Sequence, residues 1–428
     1  MPKPFTILLG KAVRRAARLR GGSGSALPGL FVEKIDPTFV PRTLNKLPQG
    51  VVVISGTNGK TTTTKMVVSL LESQELKVFT NKTGSNFVRG VAAALLGDIS
   101  VTGKLNADIA VLELDEAHAV KFVEVVKPTY SLLLNVLRDQ LDRFGEIDTT
   151  RTMLETIAKN TTGTVVLNAA DPRIASIASS LTKSQSVEYF ALDPSLAHHF
   201  PSDDNLHGKS TPTVDASAER TSSALVTLKE FSGDSASYTI NDTPYKTQLK
   251  LKGAYNIFNS AAALSLALTV IPKADPQSLL ENLATITPAF GRGETLIVND
   301  LPVELVLVKN PSGFKLGLSS YDPAGYATLI AINDNYADGR DMSWLWDVDF
   351  SSLEHHPVYT TGVRADDMAL RLHYNGIPVT DSKVDLGKAL HMFMQRHANQ
   401  PKRIYCTYTA MLSLRKHLSQ YTDVEAIS

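Results

Sequence analysis

Cysteine is almost absent from this 428-residue chain, with Cys406 as the only one. An internal disulfide, a four-cysteine metal ribbon and a two-cysteine redox centre are therefore excluded. Net charge is absent too: 43 basic residues balance 43 acidic ones, so no global field favours nucleic acid or a membrane. No run reaches the roughly twenty apolar residues that span a bilayer. Tryptophan is scarce, and both copies, Trp344 and Trp346, fall in one short segment. What the chain does have is length for two or three domains at ~150 residues each. Its hydrophobic fraction of 43% fills substantial cores.

The charge balance breaks only at the start, where Lys3, Lys11, Arg14, Arg15, Arg18 and Arg20 occur with no acid. A secretory signal needs a longer apolar stretch than Phe5 to Leu9, so a cytoplasmic protein is expected. Ala12, Val13, Ala16, Ala17 and Leu19 give this arm a modest amphipathic helix. It serves either as a solvated docking arm or as a transient contact to an anionic membrane surface, which would be the inner face of the cell membrane. Residues 1–45 read as this basic arm and its lead-in, jointed at GGSGSALP, residues 21 to 28.

From residue 46 the pattern is that of an α/β domain. Val51-Val52-Val53-Ile54 is a strand buried on both faces, followed by a glycine turn and helical spacing over Thr61 to Leu71. Ile109 to Leu114, Tyr130 to Val136 and Thr164 to Leu167 repeat the apolar run, and Thr152 to Ala158 reads as helix. Alternation of this kind predicts a parallel sheet with helices on both faces. Residues 193–248 turn polar, with extended pattern at Ala224 to Leu228 and Ala236 to Ile240 and a turn at Asn241-Asp242. This predicts a small antiparallel insertion. After helical spacing at Ile257 to Leu268, Phe290 to Glu294 marks the edge of the domain spanning 46–294. Residues 295–428 then repeat the α/β pattern as a second domain, with strands expected at Val303 to Val308, Ala327 to Ile332, Val358 to Thr360 and Ile404 to Tyr408 and helices at Asp366 to Leu372 and Ala389 to Arg396.

The sharpest signal is Gly56-Thr57-Asn58-Gly59-Lys60-Thr61 between the buried strand and its helix. Glycines let the backbone approach phosphates, the helix N-terminus meets their charge, Lys60 reaches the outer phosphates and Thr61 can ligate magnesium. The standard P-loop would have a further glycine at position 54, where this chain has Ile54. Magnesium needs more oxygen, and Glu113, in LELDEAH at the end of the second strand, is the preferred metal ligand or water-mediated metal partner. Asp115 and Glu116 are either helix-capping or substrate-site residues, and His118 reads as a packed or surface side chain. Asn135 to Arg143 is either a phosphate-facing constellation or a charged helix beginning. Asn168 and Asp171 follow the fourth strand. Asn256 and Asn259 share one side of a helix start, where they cap it or read a base edge. Arg292, in FGRGE, is placed to contact outer phosphates.

The second domain holds DGRDMSWLWDVD, residues 338 to 349, in which two tryptophans amid aspartates form a partner surface or anchor a loop over the core. The segment offers no nucleophile. Cys406 lies in an apolar strand pattern and reads as core.

Taken together, GTNGKTTTT at 56 to 64, LELDEA at 112 to 117, RDQLDRFGE at 138 to 146, LNAADP at 167 to 172, GAYNIFN at 253 to 259, FGRGE, KNPSGF at 309 to 314, DGRDMSWLWD and TYTAML at 407 to 412 resemble the Mur ligase superfamily and, within it, the MurT family. The resemblance covers almost the whole chain. It implies a Mur-ligase-like central ATPase domain with an inserted small β-rich segment and a C-terminal α/β domain. It also implies ATP- and Mg2+-dependent amidation of the D-glutamate α-carboxyl of lipid II through an acyl phosphate, with ammonia from a separate GatD-type glutaminase. By the same resemblance, Lys60 and Thr61 bind ATP and magnesium, Glu113 helps hold metal, Asn256 binds nucleotide, Arg292 contacts phosphate and Asp347 completes the partner's cysteine-histidine arrangement, with Asp349 and Asp341 as positional alternatives. A Mur-like amino-acid ligase working without a glutaminase and a nucleotide-dependent scaffold are the competing readings. Many relatives resemble a middle domain bearing a four-cysteine zinc ribbon. Residues 193–248 have no cysteine, and His198, His199 and His207 cannot reproduce a sulfur-ligated centre, so structural zinc is not expected.

Overall fold

The computed structural model describes residues 4–19, 27–81, 88–137, 147–200, 220–251, 253–287 and 292–424. They group into two compact units: the first within Met1–Val136, Ile147–Lys250 and Asn256–Ile286, the second within Leu137–Glu146, Leu251–Tyr255 and Thr287–Ser428.

Among the described residues, the first unit is built on a nine-stranded sheet. Its strands are β1 (Val51–Ser55), β2 (Val78–Thr80), β3 (Ile109–Glu113), β4 (Tyr130–Leu133), β5 (Thr164–Asn168), β6 (Ser186–Leu192), β7 (Val226–Ser232), β8 (Ser235–Ile240) and β9 (Thr243–Gln248), in the order β2-β3-β1-β4-β5-β6-β7-β8-β9. From β2 to β7 every pairing is parallel. β1 and β3 are buried at every position, as strands covered on both faces must be. Because β1 lies between β3 and β4, the carboxyl ends of these three strands form the crevice in which a doubly wound sheet binds ligands.

The polar insertion is no separate module. β7 pairs in parallel with β6, and β8 and β9 continue antiparallel from it, so the insertion widens the main sheet. Asn241 and Asp242 make the β8–β9 turn with φ of 47° and 62°, the left-handed pair that a two-residue hairpin requires. β9 is the edge strand and carries Pro244 and Lys246.

The N-terminal segment is a helix, α1 (Pro4–Leu19), packed with α2 (Leu27–Ile35). Ile7 and Val32 are buried in the core of the first unit. The expectation of a solvated arm is corrected to this extent: its inner side is core, because Ile7 and Gly10 fall on one helical face. Of the joint expected at 21 to 28, Leu27 and Pro28 instead open α2, and its remaining residues, like residues 201–219 of the insertion, lie outside the described residues. α3 (Lys60–Ser73) follows β1, α4 (Val88–Asp98) follows β2, and α5 (Glu116–Val125) follows β3. α6 (Ala254–Val270) closes the insertion and is buried along most of its length.

The second unit has, among its described residues, a six-stranded sheet in the order β10-β11-β15-β12-β13-β14. These are β10 (Arg292–Val298), β11 (Leu301–Leu307), β12 (Ala327–Ala331), β13 (Val358–Thr361), β14 (Val379–Lys383) and β15 (Lys402–Cys406). Only the β10–β11 hairpin is antiparallel. Side chains alternate between two cores: Leu305, Leu329 and Ile404 enter one, and Val306, Ile330 and Tyr405 the other. Cys406 is fully buried in the first of these, which raises its thiol pKa by desolvation. β15 ends at Cys406, and Tyr408 opens a helix, so the expected strand to Tyr408 is two residues too long.

Candidate functional site

The loop after β1 is shaped by two glycines. Gly56 has φ +136° and Gly59 has φ +88°, backbone that side chains with a Cβ rarely adopt. A Cβ on Gly59 would lie 2.5 Å from Asn259 Nδ2, so the buried Asn259 amide sits directly against the loop. Asn135, beyond β4, fastens it from the other side. The Thr57 N–H donates to the Asn135 carbonyl at 3.0 Å. The Asn58 N–H donates to Asn135 Oδ1 at 2.9 Å, and Asn135 Nδ2 donates to the Asn58 carbonyl at 3.0 Å. Gly59 is the N-cap of α3, so the loop presents a helix N-terminus at the end of a central strand.

Lys60 and Thr61, in the first turn of α3, each meet a carboxylate. Lys60 Nζ donates to the Gly56 carbonyl and lies 3.4 and 3.3 Å from Glu116 Oε1 and Oε2. Both side chains are buried. Thr61 Oγ1 donates to Glu113 Oε1 at 2.8 Å. Glu113 ends β3 and is only 4% exposed. Its backbone is clamped by Asn81, whose amide donates to the Glu113 carbonyl at 2.7 Å and accepts from the Glu113 N–H at 2.9 Å. The Thr62 hydroxyl, in the same helical turn, is buried without a hydrogen-bond partner among the described residues.

Of the expected first-unit residues, Gly56, Thr57, Asn58, Gly59, Lys60, Thr61 and Glu113 are thus brought together. Asn256 lies in the first turn of α6, half-buried, and Asn259 one turn further on. Both are inside the helix, so neither is its N-cap. Asp115 is the N-cap of α5 but gives no side-chain cap bond, whereas Glu116 is the partner of Lys60. Asn135 opens the polar stretch expected after the third apolar run, where its hold on the loop was not foreseen; Asn81 carries no motif and was missed, since only the fold brings it to Glu113. Asp171 accepts from the Val136 N–H at 2.7 Å and caps the short helix Pro172–Ala175. Its burial outweighs these bonds and raises its pKa. Asn168 Nδ2 donates to the Leu134 carbonyl at 2.8 Å. Arg138 to Arg143 and the side chain of Arg292 lie outside the described residues; the Arg292 backbone begins β10.

In the second unit, Ser343–Asp347 is a short 3-10 helix that ends on half-buried Asp347. Trp344 is core, whereas Trp346 is 49% exposed. The tryptophan pair thus anchors the loop and offers a surface. Trp346 packs edge-on to exposed Tyr374 of α7 (Ala365–Tyr374), with ring centroids 5.2 Å apart. Arg371 lies over Trp346 and donates to the carbonyls of Leu345 and Val348 at 3.2 and 2.6 Å. This fixes the backbone on both sides of Asp347. Asp349 is exposed and bonded to Ser351. Asp341 is held below the usual carboxylate range by hydrogen bonds from Ser343.

A strand, a glycine-bent loop, a lysine-threonine helix start and a strand-end glutamate make a nucleotide-phosphate loop, and the family matches make its bearer an ATP-dependent ligase of the Mur type. Residues 54–267 match the Mur ligase middle domain, and residues 307–411 match the MurT ligase C-terminal domain. The chain belongs to the MurT family of Mur ligases. It is 33% identical to the lipid II isoglutaminyl synthase (glutamine-hydrolyzing) subunit MurT of Streptococcus pneumoniae, over 94% of this chain and 93% of that one. It is 29% identical to the subunit of the same name from Staphylococcus aureus, over 86% of each. The fold is that of solved Mur ligases: MurF from Thermotoga maritima in complex with ADP has a TM-score of 0.66 at 16% identity, over 90% of this chain and 84% of that one. MurF from Acinetobacter baumannii has a TM-score of 0.65 at 18% identity, over 87% and 78%.

Proposed function

We propose that this chain is the synthetase subunit of a lipid II isoglutaminyl synthase: it activates the D-glutamate α-carboxyl of lipid II with ATP, and ammonia from a GatD-type glutaminase converts it to D-isoglutamine. The observation that carries this reading is the phosphate-type loop with Lys60 and Thr61 each set against a carboxylate, in a chain similar over nearly all its length to a subunit of that activity.

The residues fit the groups they would hold. A loop bent by two left-handed glycines, a helix N-terminus and the orphaned Thr62 hydroxyl suit phosphate oxygens, and the hydroxyl-carboxylate pair Thr61 and Glu113 suits a hard divalent cation. Thr61 and Glu113 would hold Mg2+, which when bound neutralises charge on the nucleotide phosphates. Lys60 orients the terminal phosphates, with Asn256 and Arg292 assigned to the nucleotide and its phosphates. A carboxylate is a poor electrophile. Its oxygen forms a bond to the terminal phosphorus as the bond to ADP breaks, and Lys60 stabilises charge developing on the transferred group. Ammonia then adds to the acyl carbon, phosphate leaves and the nitrogen sheds a proton.

Asp347 is assigned to the partner's reaction, where a carboxylate can orient or charge the histidine that activates a thiol. Zinc has no place in this reading, because the insertion lacks cysteine. The work place is the cytoplasmic side of the membrane that carries the lipid. The test is copurification with a candidate glutaminase, followed by assay of ATP- and glutamine-dependent lipid II amidation. Amidation supports the reading. Amino-acid addition without the glutaminase would identify a Mur-like amino-acid ligase instead, and partner binding without turnover a scaffold.

A further inference from the structure

The outward side of α1 is apolar at its start and basic further along. Phe5 is 69% and Leu8 54% exposed, three residues apart and so neighbours on one helical face. Arg15 is exposed on the same face two turns beyond Leu8, and Lys11 is half-exposed beside it. Large apolar side chains in the open are ordinary when single, but α2, packed on α1, adds Phe31 at 37% and Ile35 at 46%, one turn apart. The inner sides of both helices are already spent, since Ile7 and Val32 are core. Among the described residues, nothing in the packing of the first unit requires the outer residues to be apolar.

The surrounding charge selects the occupant. α1 has no acidic residue. The one acid of α2, Glu33, is paired with Arg89 at 2.8 Å, and Asp36 just beyond it is buried and paired with Arg42. Asp98 closes α4, which packs on α1 beside Arg14, but among the described residues neither Lys11 nor Arg15 is held in an ion pair, so their charge stays available. Apolar side chains that enter an acyl boundary, followed by cations at headgroup level, match an anionic bilayer surface.

We propose that the outer faces of α1 and α2 form a docking surface for an anionic membrane. Phe5 and Leu8 enter the interface, with Phe31 and Ile35 adding apolar area, and Lys11 and Arg15 meet lipid phosphates. The inference deepens the lipid II reading by saying which part of the chain meets the membrane that carries the substrate. Its test needs no turnover, so either can fail while the other stands.

The full chain is sedimented with phosphatidylglycerol–phosphatidylethanolamine vesicles and with phosphatidylcholine vesicles, at low and high salt. Binding is expected to the anionic vesicles and to weaken with salt. Lys11→Glu/Arg15→Glu should lower affinity at least about tenfold, and Phe5→Ser/Leu8→Ser should do the same with an unchanged thermal midpoint. A second readout does not depend on those variants: the native thiol is buried, so Leu8→Cys carrying a polarity-sensitive dye should shift to the blue with anionic vesicles alone. The proposal is overturned by absent wild-type binding, by equal binding to phosphatidylcholine, by variants that bind like wild type, or by variants that instead dissociate a lipid-free oligomer, which would make the face a contact between copies.

Discussion

Lys60 and Glu116 join the first turn of α3 to the first turn of α5 through a buried ion pair, 3.3 Å at its closest. The carboxylate gives the loop's ammonium a countercharge within the protein, one that nucleotide phosphate can replace. Glu116→Gln keeps the shape and removes the charge. Breaking a buried pair costs about 3–5 kcal/mol when a partner is deleted outright, so a loss of roughly 1–3 kcal/mol is expected for this milder change. Phosphate should restore what the glutamine cannot. The rise in thermal midpoint on adding Mg-ADP should therefore be larger in the variant than in wild type. An equal rise in both would show that phosphate does not take over the ammonium of Lys60.

Gly59 and Asn259 make a steric prediction. Gly59→Ala puts a methyl group into left-handed backbone and within 2.5 Å of the Asn259 amide. The backbone part alone costs about 1–3 kcal/mol, and nucleotide binding should weaken with it. Adding Asn259→Ala should return the contact part and leave the backbone part, which a double-mutant cycle on chemical denaturation measures. Strict additivity of the two changes would mean that the contact is not a constraint.

Asp347 sits in the second unit, between carbonyls held by Arg371. The loop, Glu113 and Lys60 belong to the first. Asp347→Asn is expected to depress glutamine-dependent amidation in the purified complex and to spare ATP binding and partner binding, with added ammonia recovering much of the product. Equal loss with both nitrogen sources would move Asp347 to the synthetase reaction. Loss of partner binding would make it an interface residue, and no loss in either assay would pass the role to Asp349 or Asp341.

Much of the fold could be read from residue pattern because parallel strands buried on both faces are unbroken aliphatic runs, as at Val51 to Ile54. Where that condition lapses, the reading lapsed too. β6 is only half-covered along Ser186–Tyr189 and lacked a clean run, so the link between the main sheet and the insertion was invisible. The Asn241-Asp242 turn was legible from its residue types. Asn299-Asp300, with the same pair of residues and φ of 50° and 63°, turns β10 into β11 and was overlooked in the likeness to a domain boundary. At the site, the contiguous loop and the strand-end Glu113 were readable because their chemistry is local. The choice of Glu116 over Asp115 as a charge partner was not, since it depends on which way α5 leaves its strand. Asn81 is an ordinary asparagine until two strand ends meet, and Asn135, within a legible polar stretch, shows its grip on the loop only in the fold.

The hairpin that ends the larger sheet also limits it. An open strand edge is a template on which further strands, from this chain or another, can add. β9 presents Pro244, which has no N–H to donate, and Lys246, whose charge would have to be desolvated. Each makes one more strand unfavourable. The inserted segment therefore acts as a terminator: it stops strand addition at β9 and protects the nine-stranded sheet from edge-to-edge aggregation.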